Sequence, residues 1–193
     1  MPLFLQRKLL LIVLCLIGTT SLVRAADVHP LLEALATENH FALLRHALAP
    51  GTGDPADFDV ADCTTQRNLN ETGRTQAVNI GQTLRDSGID QALVFSSQWC
   101  RCQDTASLLG FDTATDNPIL NSFFRNRDRS ELQTLALEQW LSDMTLKTPT
   151  ILVTHQVNIS AFAGVYASSG DMVIIKRNED ATFTALGIVP TAP

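Results

Sequence analysis

Three short apolar runs, Phe41-Ala42-Leu43-Leu44, Ala92-Leu93-Val94-Phe95 and Thr150-Ile151-Leu152-Val153, constrain the fold more than any other feature of this chain. Each run is continuous rather than alternating, so each suits a strand buried on both faces, and such a strand needs helices on both sides of its sheet. The intervening stretches supply them. His29 to Glu38 reads as a short helix with Pro30 in its first turn. Asn70 is an N-cap, and Ala77, Ile80 and Leu84 follow at helical spacing, with an end near Gly88. Trp99 to Leu109 continues with Ala106 and Leu109 inward, and Glu131 to Met144 places Leu132, Leu135 and Trp140 against the core. Ala47 to Thr65 holds Pro50-Gly51 and Gly53-Asp54-Pro55 and reads as a long loop. Met172 to Ile175 and Ala181 to Val189 form a terminal hairpin. Only Asn117 to Phe124 lacks a clear period. The expectation is an α/β fold, a single three-layer α/β/α domain with a mostly parallel central sheet, which 193 residues accommodate.

The start of the chain is of a different kind. Arg7-Lys8 precede the apolar run Leu9 to Ile17, and a polar turn leads to Val23-Arg24-Ala25, the order of a secretory signal peptide cut after Ala25. Residues 1–25 are thus expected to be removed and 26–193 to form the domain, in a periplasmic or secreted location with no membrane anchor after cleavage. The apolar run stops at Gly18-Thr19-Thr20-Ser21, short of the roughly 20 residues that a spanning helix needs. Cleavage takes three basic residues from a chain whose formal charge is already −6. An acidic chain without a basic cluster argues against nucleic acid as a partner, because nucleic acid is bound mainly through concentrated Lys and Arg. Cys63, Cys100 and Cys102 remain where disulfides can form, and Cys63 is expected to pair with Cys100 or with Cys102. No zinc-site spacing is present.

The chemistry is expected at the strand ends. Each of the three apolar runs delivers a cation or an imidazole just beyond it: Arg45-His46, then Arg101, then His155. In open α/β sheets, ligands bind in the crevice beyond the carboxyl ends of the strands, so these residues should meet there. Two arginines present planar forks that match phosphate oxygens, and two imidazoles beside them suit covalent catalysis with charge stabilisation.

The residues at these positions resemble a known family. Leu43-Leu44-Arg45-His46-Ala47 is similar to the nucleophile motif of the histidine phosphatase superfamily, whose fold is shared with phosphoglycerate mutases. The segments Asn68 to Ala77, Val94-Phe95-Ser96-Ser97 followed by Arg101 and Thr105-Ala106, and Val153-Thr154-His155 resemble its later motifs in the family order. The resemblance implies a phosphoglycerate mutase-like fold and a phosphohistidine mechanism on a small phosphorylated substrate. His46 would be the nucleophile, with Arg45, Arg101 and His155 around the phosphoryl oxygens, and neither metal nor organic cofactor would be required. A catalytically idle protein of the cell envelope that holds a phosphorylated ligand is the alternative, disfavoured because anion binding needs no pair of histidines.

Three positions depart from the family pattern. Ala47 stands where glycine is usual, Ala49 and Pro50 stand where a hydroxyl is usual, and no general acid occupies either of the family's two places, Gln156 standing at one and Leu120-Asn121-Ser122 at the other. Asp128 is the nearest ionisable substitute, with Asp54, Asp57 and Glu131 behind it. Without an acid, good leaving groups would be favoured.

Overall fold

In the computed structural model, which describes residues 29–192, the chain runs α1 (Pro30–Leu35), β1 (His40–Arg45), α2 (Glu71–Asp86), β2 (Leu93–Ser96), α3 (Cys100–Leu108), β3 (Thr115–Asp116), α4 (Ser130–Asp143), β4 (Thr150–Thr154), α5 (Gln156–Ala163), β5 (Met172–Arg177) and β6 (Phe183–Val189). The signal segment and its cut after Ala25 lie outside the described residues. The strands form one sheet in the order β3-β2-β4-β1-β5-β6, parallel from β3 to β1 and antiparallel through the terminal hairpin. Successive side chains of a strand point to opposite faces, and β1 shows how the three layers follow from that. Phe41 and Leu43 pack with Leu137 and Leu141 of α4 and Ile159 of α5, whereas Ala42 and Leu44 pack with residues of α1, α2 and α3.

Two residues of α4 expected in the core are not there, for one cause. Leu132 and Leu135 are 74% and 52% exposed, and the buried face of α4 is instead Gln133, Leu137 and Leu141, spaced four apart. Gln133 takes a core position because its amide donates to the carbonyls of Ile119 and Asn121, closing the backbone of the segment beneath it. A polar residue that satisfies buried carbonyls thereby outranks two leucines. The segment without a clear period became β3 and a 3-10 turn, Pro118–Leu120, whose Leu120 is fully buried. The helix α5, directly after β4, was not anticipated.

Cys63 pairs with Cys100, at a Cα–Cα distance of 5.7 Å. The choice over Cys102 follows from helix geometry: two residues along α3 is a rotation of about 200°, so the two thiols face opposite ways. Cys100 faces the long loop, and Cys102 is buried in the core, its thiol pushed up to about 12 by burial and hence protonated. Closing a loop with a sequence separation of 37 residues contributes about 3 to 4 kcal/mol in the chain-entropy picture. It also ties the loop that follows His46 to the start of the helix that carries Arg101.

Candidate active site

The pairing of β1 with β4 sets the geometry. Arg45 is in register with Thr154, and the His46 N–H donates to the Thr154 carbonyl at 3.0 Å, so His46 and His155 emerge side by side with ring centroids 5.5 Å apart. Arg101 reaches the same point from the first turn of α3. The four residues Arg45, His46, Arg101 and His155 all line one cleft of about 340 Å3.

The ring of His46 is oriented by its own neighbour. Its Nδ1 lies 2.8 Å from the Ala47 carbonyl, which can only accept, so Nδ1 carries the proton and Nε2 keeps its lone pair. Ala47 serves there without strain, since its φ is not in the left-handed region; among described non-glycine residues only Asn39 and Ala181 are. Its N–H donates to Thr105 of α3 at 3.0 Å. The next residue, Leu48, packs on α2 at Gly73, where an added Cβ would come within 2.0 Å of the Leu48 carbonyl oxygen. The buried Gln76, one turn on, accepts from the Leu48 N–H and donates to the Ser169 and Thr191 carbonyls. The Asn68 to Ala77 segment therefore braces the chain just beyond His46.

His155 has the opposite tautomer. Its Nδ1 faces the Arg101 NH2 at 3.4 Å, and a guanidinium only donates, so Nδ1 accepts and Nε2 carries the proton to Ser97 Oγ at 2.9 Å. Ser97 passes its own proton to Asn121 Oδ1, which also accepts from the Gln98 N–H. In this state His155 can give a hydrogen bond through Nδ1 only after taking up a proton. Burial first, and Arg101 second, hold both histidines well below the usual imidazole range, so both rings are neutral.

Besides these four residues, the cleft holds Asp54, one of the candidate acids, and Arg67 and Trp99, which were not expected there. Asp54 is the carboxylate that the fold brings to the site. It accepts from Arg101 at 2.6 and 3.3 Å, from the Arg67 backbone N–H at 3.1 Å and from Trp99 Nε1 at 3.1 Å. Burial pushes its pKa up, but Arg101 and the other donors outweigh that and hold it below the ordinary value, so it is ionised. Asp54 thus positions Arg101 and is not poised to give up a proton. Asp128, the foremost candidate from sequence, is exposed on the turn Arg127–Arg129 and does not line the cleft; nor do Asp57 and Glu131. Arg67 joins Ala49 and Gly53 through their carbonyls and stays charged, although burial and Arg101 lower it to about 10. Its one sequence signal was an arginine directly ahead of the Asn68 to Ala77 segment. The Nε–H groups of Arg45 and Arg101 are buried and have no partner among the described residues.

The model of the histidine phosphatase superfamily (branch 1) matches residues 41–147, more than half of the chain and including Arg45, His46 and Arg101. The chain belongs to the histidine phosphatase superfamily. It is a phosphohydrolase of that family, with the family's fold. Among solved structures it is similar to the protein histidine phosphatase SixA complexed with tungstate, at 13% identity and a TM-score of 0.57, over 78% of this chain and 96% of that one. Mycobacterial hydrolase 1 aligns at 15% identity and 0.58, over 80% and 100%. A mycobacterial glucosyl-3-phosphoglycerate phosphatase with VO3 aligns at 16% and 0.58, over 76% and 96%. No curated protein matches the sequence significantly. The histidine phosphatase match ends before His155, which the structure nevertheless seats beside His46.

Because both buried histidines titrate below the unfolded value of about 6.5, the native state binds fewer protons than the unfolded state under acid conditions. Stability should therefore fall as pH drops from 7 to 5, by up to about 1.4 kcal/mol per pH unit for each ring. Asp54, whose pKa is also lowered, adds a loss in the same direction only below its unfolded value near 3.8. Urea midpoints across this range measure the effect, and a midpoint that is flat from pH 7 to 5 contradicts the buried neutral assignment.

Proposed function

We propose that the chain is an exported phosphohydrolase that transfers the phosphoryl group of a small phosphorylated substrate to His46 and then to water. The observation that carries this reading is the Nε2 lone pair of His46, fixed by the Ala47 carbonyl, in a cleft with Arg45 and Arg101, whose Nε–H groups have no partner among the described residues. Phosphoryl transfer asks for little beyond such positioning and preorganised positive charge. As the lone pair of His46 forms the P–N bond, the P–O or P–N bond to the leaving group breaks, and the leaving group departs with the electron pair. The Ala47 carbonyl then faces a ring that has become cationic. The disulfide is in keeping with an oxidising compartment, as expected from the amino-terminal segment.

Among the described residues the single carboxylate lining the cleft is Asp54, which is ionised and engaged by four donors, and Gln156 has only an amide. This favours leaving groups that depart with little protonation: phosphoramidates, acyl phosphates and aryl esters. The likeness to a protein histidine phosphatase, whose name implies a phosphoramidate substrate, points the same way. A series of aryl phosphates tests both halves of the reading. We expect turnover by residues 26–193, with kcat/KM falling steeply as the leaving phenol becomes more basic. A flat dependence with turnover shows that an acid is present, and no turnover of any member removes the phosphohydrolase assignment. Amino-terminal sequencing of protein isolated from the cell should begin at Ala26; an intact Met1 on cytoplasmic protein overturns export.

A further inference from the structure

The charge around the cleft is larger than one phosphoryl group needs. Among the described residues five arginines and one carboxylate line it, in a chain whose formal charge is −6. At the floor, Arg45, Arg67 and Arg101 stand against Asp54, an excess of two positive charges that one phosphoryl dianion balances. Arg125 and Arg129 are left over, and no carboxylate among the lining residues faces them. Arg125 is held in place, since its NH2 donates to the carbonyls of Asp54 and Pro55, across from its own segment to the loop that follows His46. Arg129 makes no side-chain hydrogen bond or ion pair among the described residues.

The space above the phosphoryl floor is also more than that group fills. A cleft of about 340 Å3 is in the range of pockets that hold a whole small molecule. Its walls are aromatic: Phe58 stacks on Trp99 with centroids 5.0 Å apart and an interplanar angle of 22°, and Phe124 and Tyr166 stand 41% and 66% exposed at the mouth. Arg45 lies over the Tyr166 ring at 6.0 Å and Arg127 over the Phe124 ring at 5.6 Å, and the exposed remainder of these two rings, beside Arg125 and Arg129, suits a flat ring with an anionic substituent, the ring taking the apolar surface and the anion the planar forks.

We propose that the substrates of this site carry a ring in the leaving group and a second anionic group on that ring, a carboxylate or a phosphate, held by Arg125 and Arg129. The proposal rests on the phosphohydrolase reading and narrows it to a substrate class. The two arginines act on binding of the leaving group, away from the reacting atoms, so their contribution belongs mainly in KM.

The test uses pairs of equal shape and different charge: 4-carboxyphenyl phosphate against 4-carbamoylphenyl phosphate, and the two 3-substituted isomers. The expected result is a preference of about 10-fold or more in kcat/KM for the carboxylate member of at least one pair, as for a charge-assisted contact of about 1.4 kcal/mol or more. That ratio should fall by about 10-fold in the Arg125→Gln, Arg129→Gln double variant, to the value that the basicity of the two phenols alone sets, and should shrink with added salt in the unaltered protein. A carboxylate-to-carbamoyl ratio that is the same in the double variant as in the unaltered protein, for both pairs, overturns the proposal. Should neither member of any pair turn over, the phosphohydrolase reading fails instead. The same pairs are then compared by calorimetric binding, where equal affinities overturn the subsite and a carboxylate preference lost in the double variant upholds it.

Discussion

Replacement of His46 by alanine should remove the phosphoenzyme and turnover together, lowering kcat by about 10⁴-fold or more, as the loss of a catalytic nucleophile does elsewhere. No other nucleophile in the cleft is equally placed. The Nδ1 of His155 accepts from Arg101, its Nε2 carries a proton to Ser97, and the Cys102 thiol is buried and protonated. His155→Ala should therefore retain a trappable phosphoenzyme while slowing turnover by about 10²- to 10³-fold, the range for loss of one group that stabilises the transition state. Acid quench with labelled substrate reads both variants. Label on His155 reverses the assignment, and full activity in His46→Ala protein removes the covalent mechanism. Loss of the imidazole at position 46 should leave the fold intact, because the strand-end contact to Thr154 is made by the backbone.

Arg101→Ala should be as damaging for a different reason. The guanidinium is 3% exposed and paired with Asp54, which is 11% exposed, so its removal takes away a phosphoryl donor and also leaves a carboxylate without its main partner. That uncompensated charge then faces the incoming phosphoryl group, and like charges at short range in a partly dry site repel strongly. A loss of about 10³-fold or more in kcat/KM is expected, beyond the 10²- to 10³-fold typical for one donor. The sign of the second substitution is the informative part. Asp54→Asn alone should lower activity, since Arg101 loses the partner that aims it, whereas in the Arg101→Ala background it should raise activity by relieving the repulsion. A double-mutant cycle in kcat/KM measures this coupling. Additive effects would show that Asp54 neither positions Arg101 nor opposes substrate in its absence.

The roles of Asp54 and Arg101 also mark where reading the sequence stopped. The continuous apolar character of the three inner runs was enough to imply strands of one sheet with helices on both faces, although Leu93 of the second run is 44% exposed, and the residues just past those runs, Arg45, His46, Arg101 and His155, do meet in one cleft. Both conclusions were legible because they rest on local rules: a short apolar run bounded by polar turn residues suits a buried strand, and ligands bind beyond the carboxyl ends of parallel strands. The residue type at a strand end is likewise a property of the chain alone.

What depended on contacts between distant segments was not legible. Leu132 and Leu135 look like core residues until the Ile119 and Asn121 carbonyls claim that face of α4 for Gln133. Asp128 and Asp54 are both acidic residues in polar segments, and only the fold of the long loop, tied by Cys63–Cys100, brings Asp54 to Arg101 while Asp128 stays in solvent. The tautomer of His155 was decided in the same way, by an arginine 54 residues earlier, whereas that of His46 depends on the rotamer that brings its ring to the carbonyl next in sequence. The sequence by itself determined the layers of the fold and the cations at the strand ends, because burial pattern and residue type are local. The protonation state, the partner and the orientation of each group were decided by the tertiary structure, because charge and hydrogen bonding depend on which groups come within a few ångströms.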